Sequence, residues 1–203
     1  MNKDKRKPTD EKADASRGKD TTVVIIKPEE IESGRAEQVL SFIKDFCANN
    51  GLQMEVKKAK LTKQVLGRHY FGRGQEYLQN VGFKILRSLG EKTDDSQKAI
   101  KVGEDVLRIH ADSYIDKEAI VLKITGEDAL NKIKSIKGST EPEKSANGTI
   151  RKVFSTGMTI ADVVNNRKPL RNIVHISENE EEAKFDLRTF WSDSKDIRRI
   201  SRR

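Results

Sequence analysis

The chain has 203 residues, enough for one domain with insertions or two small ones, and 34% of them are apolar, 35% are charged, and the formal net charge is +8. No apolar run approaches the ~18 residues that a bilayer span needs, and the charged amino end lacks a secretory pattern. The expectation is a soluble protein of a reducing, cytoplasmic compartment. Its single cysteine, Cys47, cannot close an internal disulfide and reads as a core residue on an apolar helix face.

Residues 1–20 carry Lys3, Lys5, Arg6, Lys7, Lys12, Arg17 and Lys19 with almost no apolar partner, and read as a disordered basic tail. Residues 192–203, ending in Arg202 and Arg203, read as a second one. Such tails suit weak contact with nucleic-acid phosphates, or solubility alone, since neither carries an aromatic on which a base would stack. Between them, residues 21–191 are expected to form one domain.

Thr22 to Ile26 are β-branched and predict a buried strand, ended at Lys27-Pro28 because proline donates no ladder hydrogen bond. Ser33 is placed to cap the next helix, whose Ala36, Val39, Leu40, Ile43 and Cys47 share one face. Leu52, Met54 and Val56 alternate with polar residues and predict a half-exposed strand. Helices follow over residues 61–70, 75–90 and 99–113, with a polar stretch at 91–98. Ala119 to Ile124 predicts a third strand, and Ala129, Ile133 and Ile136 mark a helix after it. Residues 138–148, rich in Gly, Ser, Pro and Asn, predict a loop. Asn172-Ile173-Val174 predicts a short fourth strand, and Ala183, Leu187 and Phe190 give the last helix its stripe. This order fits a ferredoxin-like split βαβ sandwich, a four-stranded antiparallel sheet flanked by helices.

Three histidines occur in the chain, and His175 lies where a strand would deliver it to a ligand. Histidine has an unperturbed pKa near neutrality, so a neutral imidazole is available to attack phosphorus without a separate base. Asp186, eleven residues on, is placed to fold back and fix its tautomer. Lys27, at a strand end, and Arg151, after Gly148, are candidate phosphate cations, one a point charge and the other a planar fork. Taken alone, each also reads as an ordinary surface charge, and His175 as a core histidine.

Several runs lift these residues out. Ile26-Lys27-Pro28 and His69-Tyr70 anchor residues 22–70; Gly138-Ser139-Thr140-Glu141-Pro142 precedes Gly148-Thr149-Ile150-Arg151 within 119–154; Asn172, His175, Ser177 and the pair Phe190-Trp191 mark 171–191. Together they resemble the nucleoside diphosphate kinase family. The resemblance implies a phosphohistidine on His175, oriented by Ser177 and Asp186, where the family usually has glutamate at the latter position. It implies nucleotide contacts from Lys27, Tyr70, Lys134, Thr140, Arg151 and Asn172. It further implies ping-pong transfer of the γ-phosphate of ATP to nucleoside diphosphates, with Mg²⁺ bridging the phosphates and few direct protein ligands, in a dimer-based homo-oligomer. Departures point to a long form with insertions near 91–116 and 155–170. Lys134 stands where the family has arginine, Ile176 replaces a small residue after the histidine, and Tyr77 and Phe83 are both candidates for stacking on the base. A weakly catalytic nucleotide- or nucleic-acid-binding module, or a structural subunit, is the alternative reading.

Overall fold

Why the sheet forms where it does follows from strand β1, Lys19–Ile26, in the computed structural model, which describes residues 18–141, 144–155 and 157–191. β1 runs antiparallel to β3, Glu118–Glu127, on one side and to β4, Val174–Ile176, on the other. β2, Gln53–Lys60, pairs with the far edge of β3, giving the order β2-β3-β1-β4. This is the expected ferredoxin-like α/β sandwich with four antiparallel strands. β1 begins earlier than its β-branched run, so Lys19 and Asp20, read as tail, belong to the sheet. The Asp20 carboxylate accepts the Ala129 and Leu130 amides at the start of α6, Ala129–Ser135, satisfying donors that a helix start leaves free. The rest of the amino-terminal tail, residues 1–17, and all of 192–203 lie outside the described residues.

Successive residues of a strand face opposite ways, and β1 feeds two cores. Val24 and Ile26 pack with Ile124, Val39, Ile43 and Cys47 beneath α2, Ala36–Asn49, and with Ile133 of α6. Val23 and Ile25 pack with Leu66 of α3, Lys63–Phe71, with Leu107 and Tyr114 of α5, Ser96–Tyr114, and with Phe190. Each fully buried aliphatic of this kind stabilises the fold by about 1.5–3 kcal/mol.

Some local expectations change. Ser33 does not cap α2; it ends a short helix α1, Pro28–Glu32, in which Pro28 takes the first position, where no amide is needed. Val56 is 49% exposed, because β2 is an edge strand with no helix covering that side chain. The last helix, α9 (Glu180–Asp186), passes into a π-helical turn over Leu187–Trp191. The fourth strand begins at Val174, two residues later than predicted, so His175 lies inside it. The cause is a three-residue turn: the Val174 amide donates to the Asn172 carbonyl at 2.7 Å, with Ile173 between them at φ +66°. That left-handed γ-turn geometry is rare and strained for a β-branched residue.

Helix α4, Gly74–Ser88, folds back on α5 as an antiparallel hairpin. A Cβ at Gly82 would lie 1.7 Å from the Ala99 carbonyl oxygen, and one at Gly103 2.1 Å from that of Leu78, so the two helices meet backbone to backbone. Residues 155–170, read as an insertion, follow the short α7, Ile150–Val153, and contain α8, Ile160–Asn166. Thr159 and Asp162 form its capping box, a signature present in the sequence. Ile160, Val163 and Leu170 dock this segment on Ile85 of α4. His110 fastens it further, donating from Nδ1 to the Val106 carbonyl at 2.8 Å and accepting the Leu170 amide on Nε2 at 3.1 Å. Among the described residues no helix is long and apolar enough to cross a membrane.

Candidate active site

His175 pairs with Ile25 across β4 and β1 and so faces the α3/α5 side of the sheet. Its neighbours Val174 and Ile176 point the other way, into the α2/α6 core. Ile176, which replaces a small residue after the histidine, is fully buried and packs in that core.

The ring is fixed from behind. His175 Nε2 lies 2.8 Å from Asp186 Oδ2, closing the eleven-residue gap between them, and Ser177 Oγ donates to the same oxygen at 2.9 Å. Asp186 is fully buried and Ser177 likewise. Burial alone would raise the Asp186 pKa, but His175 and His69 hold it well below the usual carboxylate range. An ionised carboxylate only accepts, so Nε2 carries the imidazole proton and Nδ1 keeps its lone pair. Nδ1 makes no hydrogen bond among the described residues, and 19% of the side chain remains open. Burial pushes His175 down to about 4, against the pull of Asp186, so it is neutral at physiological pH.

In front of the ring lies a cavity of about 400 Å³. Its polar wall holds Lys27, Tyr70, Lys137, Thr140, Arg151 and Asn172; its apolar wall holds Val81, Ile85, Ile160 and Val163. Lys27 Nζ donates to the Leu170 carbonyl at 3.4 Å, and burial brings its pKa down to about 8. Burial pushes the Tyr70 phenol up, so it stays a protonated donor. Arg151 donates to the carbonyls of Asn172, Gly138 and Val174 at 3.1, 3.2 and 3.0 Å. Three of its five N–H groups are thus spent on the strand and loop around His175, leaving two for a ligand. Thr140 is exposed at the mouth. The Asn172 side-chain oxygen is buried with no hydrogen-bond partner, an arrangement that invites a donor from a ligand.

Lys134 is not brought to this cavity. Its ammonium donates to the Glu178 carbonyl at 2.7 Å, while Lys137, three residues on, reaches inward and donates to the Ile176 carbonyl at 3.1 Å and to the Glu178 carboxylate. Tyr77 lines the cavity and Phe83 does not. Sequence reasoning also passed over Arg73 and the face that His69 turns to His175. The His69 ring meets His175 edge-on with centroids 4.9 Å apart, and its place beside Tyr70 in an anchoring motif was the available signal. Nothing in the pattern around Arg73 marks it.

Among the described residues no group of three or more His, Cys, Asp or Glu stands together as a resident metal site. The donors facing the cavity are chiefly cations and hydroxyls, a set that fits anionic oxygens and an ion arriving with them.

The family model "Nucleoside diphosphate kinase" matches residues 110–195. A nucleoside diphosphate kinase of Clostridium perfringens is 28% identical over 149 residues, covering 69% of this chain and 93% of that one. The crystal structure of an NDP kinase from Pyrobaculum aerophilum superimposes with a TM-score of 0.72 at 22% identity, over 89% of this chain and 99% of that chain. A transition-state mimic of the Borrelia burgdorferi nucleoside-diphosphate kinase, with bound vanadate and ADP, gives 0.65 at 20% identity, over 87% and 89%. At these identities the solved structures speak to the fold.

Proposed function

We propose that this chain is a member of the nucleoside diphosphate kinase family, whose model matches residues 110–195, and that it transfers the γ-phosphate of a nucleoside triphosphate to a nucleoside diphosphate through His175. The observation that carries the proposal is the unpaired Nδ1 of a neutral imidazole whose Nε2–H is held by Asp186. The Nδ1 lone pair forms a bond to the γ-phosphorus as the bond from that phosphorus to the β,γ-bridging oxygen breaks. The nucleoside diphosphate leaves with the bridging oxygen. A terminal oxygen of a second diphosphate then attacks the phosphohistidine, and the imidazole is regenerated. No proton has to leave Nδ1 in either half. Asp186 and Ser177 hold the ring and spread the charge that develops on it.

Lys27, Arg151 and Lys137 offset the phosphate charge, with Tyr70 and Thr140 as hydroxyl donors. Asn172 accepts from a ribose hydroxyl through its orphaned oxygen. Mg²⁺ enters as part of the nucleotide substrate, keeping most of its waters. The same reading makes the working protein a dimer-based homo-oligomer that handles ATP and nucleoside diphosphates.

The test is incubation of the purified chain with γ-labelled ATP. An acid-labile label that a nucleoside diphosphate removes is expected on the wild type, and none on His175→Gln. Equal labelling of both proteins, or none on either, would sink the proposal. A nucleotide-binding module of weak catalysis is the second reading, favoured by Lys134 facing away and by the commitment of Arg151 to backbone carbonyls. Retained nucleotide binding with turnover near zero would select it.

A further inference from the structure

The Asp186 carboxylate divides its work between its oxygens. Oδ2 accepts from His175 and Ser177. Oδ1 accepts from Arg73 Nη2 and lies 3.3 Å from His69 Nδ1. Arg73 is held on its other side by Glu182, through Nη1. Its guanidinium sits between two rings, 4.9 Å from the Tyr77 centroid and 5.1 Å from that of Phe185, with a side chain only 7% exposed. A desolvated, permanently charged group therefore stands on the far side of the carboxylate that holds the imidazole.

We propose that Arg73 is a positioning residue that lowers the proton affinity of His175: it occupies one oxygen of Asp186 and places a fixed positive charge behind the pair, adding to the effect of burial. For its bearing on catalysis the inference rests on the reading of His175 as nucleophile; the electrostatics stand without it.

The physical reasoning is direct. A bare carboxylate beside an imidazole draws a proton onto the ring. An arginine on the same carboxylate spends part of that negative charge and repels an added proton. The other charged or titratable groups around the pair are His69 from α3, Tyr77 from α4, Lys27 at the end of β1 and Glu182 from α9. Lys27 is tied to the Leu170 carbonyl, and Glu178, past β4, is engaged by Lys137. Of these groups, Arg73 alone is both always charged and bonded to Asp186. The directions of shift agree: after burial, Arg73 is among the influences that lower both His175 and His69. Without Arg73, His69 Nδ1 is the donor left for Oδ1, and the cluster of two imidazoles and one carboxylate holds a proton more readily.

The experiment is an NMR titration of the three imidazoles in the full chain, for wild type, Arg73→Gln and Arg73→Met. Methionine suits the slot between Tyr77 and Phe185 and preserves packing if glutamine does not. The His175 midpoint should rise by ~1 pH unit in both variants, and the His69 midpoint should rise with it. His110, pinned to Val106 and Leu170, is the internal control and should not move. An unchanged His175 midpoint in either folded variant overturns the proposal, as does an equal rise at His110. Phosphohistidine labelling against pH on the same proteins separates the two ideas. An acid limb displaced upward with near-normal labelling above neutrality supports the role given to Arg73. Labelling reduced by one factor at every pH would make Arg73 merely structural. If the wild type takes no label, the transferase reading fails and the titration still decides the electrostatics.

Discussion

The two faces of the sheet are built to different ends. The α2/α6 face buries Val24, Ile26, Val39, Ile43, Leu122, Ile124 and Ile133, each at 0% exposure, with no charged residue among them. The α3/α5 face buries aliphatics too, but sets His69, His110 and Asp186 among them or at their margin. One face can be filled by any well-packed apolar set. The other carries polar groups that each need a specific partner, since a buried polar group left unpaired costs far more than a paired one returns. Stability therefore resides chiefly on the first face and the proposed chemistry on the second, and substitutions should separate them.

The largest effect on stability is expected from Ile43→Ala on the first face, a loss of ~2–5 kcal/mol in denaturant titrations. Transfer at temperatures where the variant stays folded should be unchanged; a kinetic defect there would erase the division. Next comes Asp186→Asn on the second face, which keeps the shape but loses the charge that stabilises the developing imidazolium. Turnover should fall by about 100-fold without vanishing, and an unaltered rate would remove Asp186 from the site. A third effect depends on pH. Burial lowers His110 to about 3 in the fold, so the unfolded chain binds its proton first. Stability should be full above about 6.5 and fall as pH drops from there toward 3, by about 2 kcal/mol at pH 5 for this group alone. In thermal melts against pH, the wild type should lose more stability across this window than His110→Gln, and equal slopes would refute that sign. The smallest contrast pits Lys137→Ala against Lys134→Ala. Losing the inward lysine should weaken nucleotide binding by about tenfold, and losing the outward one by a factor of about two. Isothermal titration with a non-hydrolysable triphosphate measures both, and the reverse order would restore Lys134 to the site.

Much of this architecture was legible in the residues. The β-branched run at Thr22–Ile26, the helical stripe from Ala36 to Cys47 and the apolar run at Ala119–Ile124 announce their elements, because period and burial agree in each. His175 and Asp186 could be paired from their spacing, since one strand end and one helix bridge it. The misreadings have physical causes. Alternation at Met54 and Val56 signals a strand but cannot tell a covered face from the open edge of a sheet. The γ-turn at Ile173 delays β4, and no sequence pattern predicts a β-branched residue in that conformation. Lys134 and Lys137 are alike in charge and separated by about one helical turn. Which of them faces the cavity is decided where α6 ends, near Ile136. Arg73 depends on contacts more than 100 positions away, at Glu182 and Asp186, which local patterning cannot foresee.

The absent methyl groups at Gly82 and Gly103 have a bearing on the width of the cavity beside His175. Because the two helix backbones touch there, neither can slide along or back away from the other without opening a void or striking a carbonyl. Tyr77 and Val81 ride on one of these rods, Leu107 and His110 on the other. The pair of glycines thus acts as a gauge block that holds opposite walls at a set spacing, and an alanine at either position would be felt across a cavity it does not line.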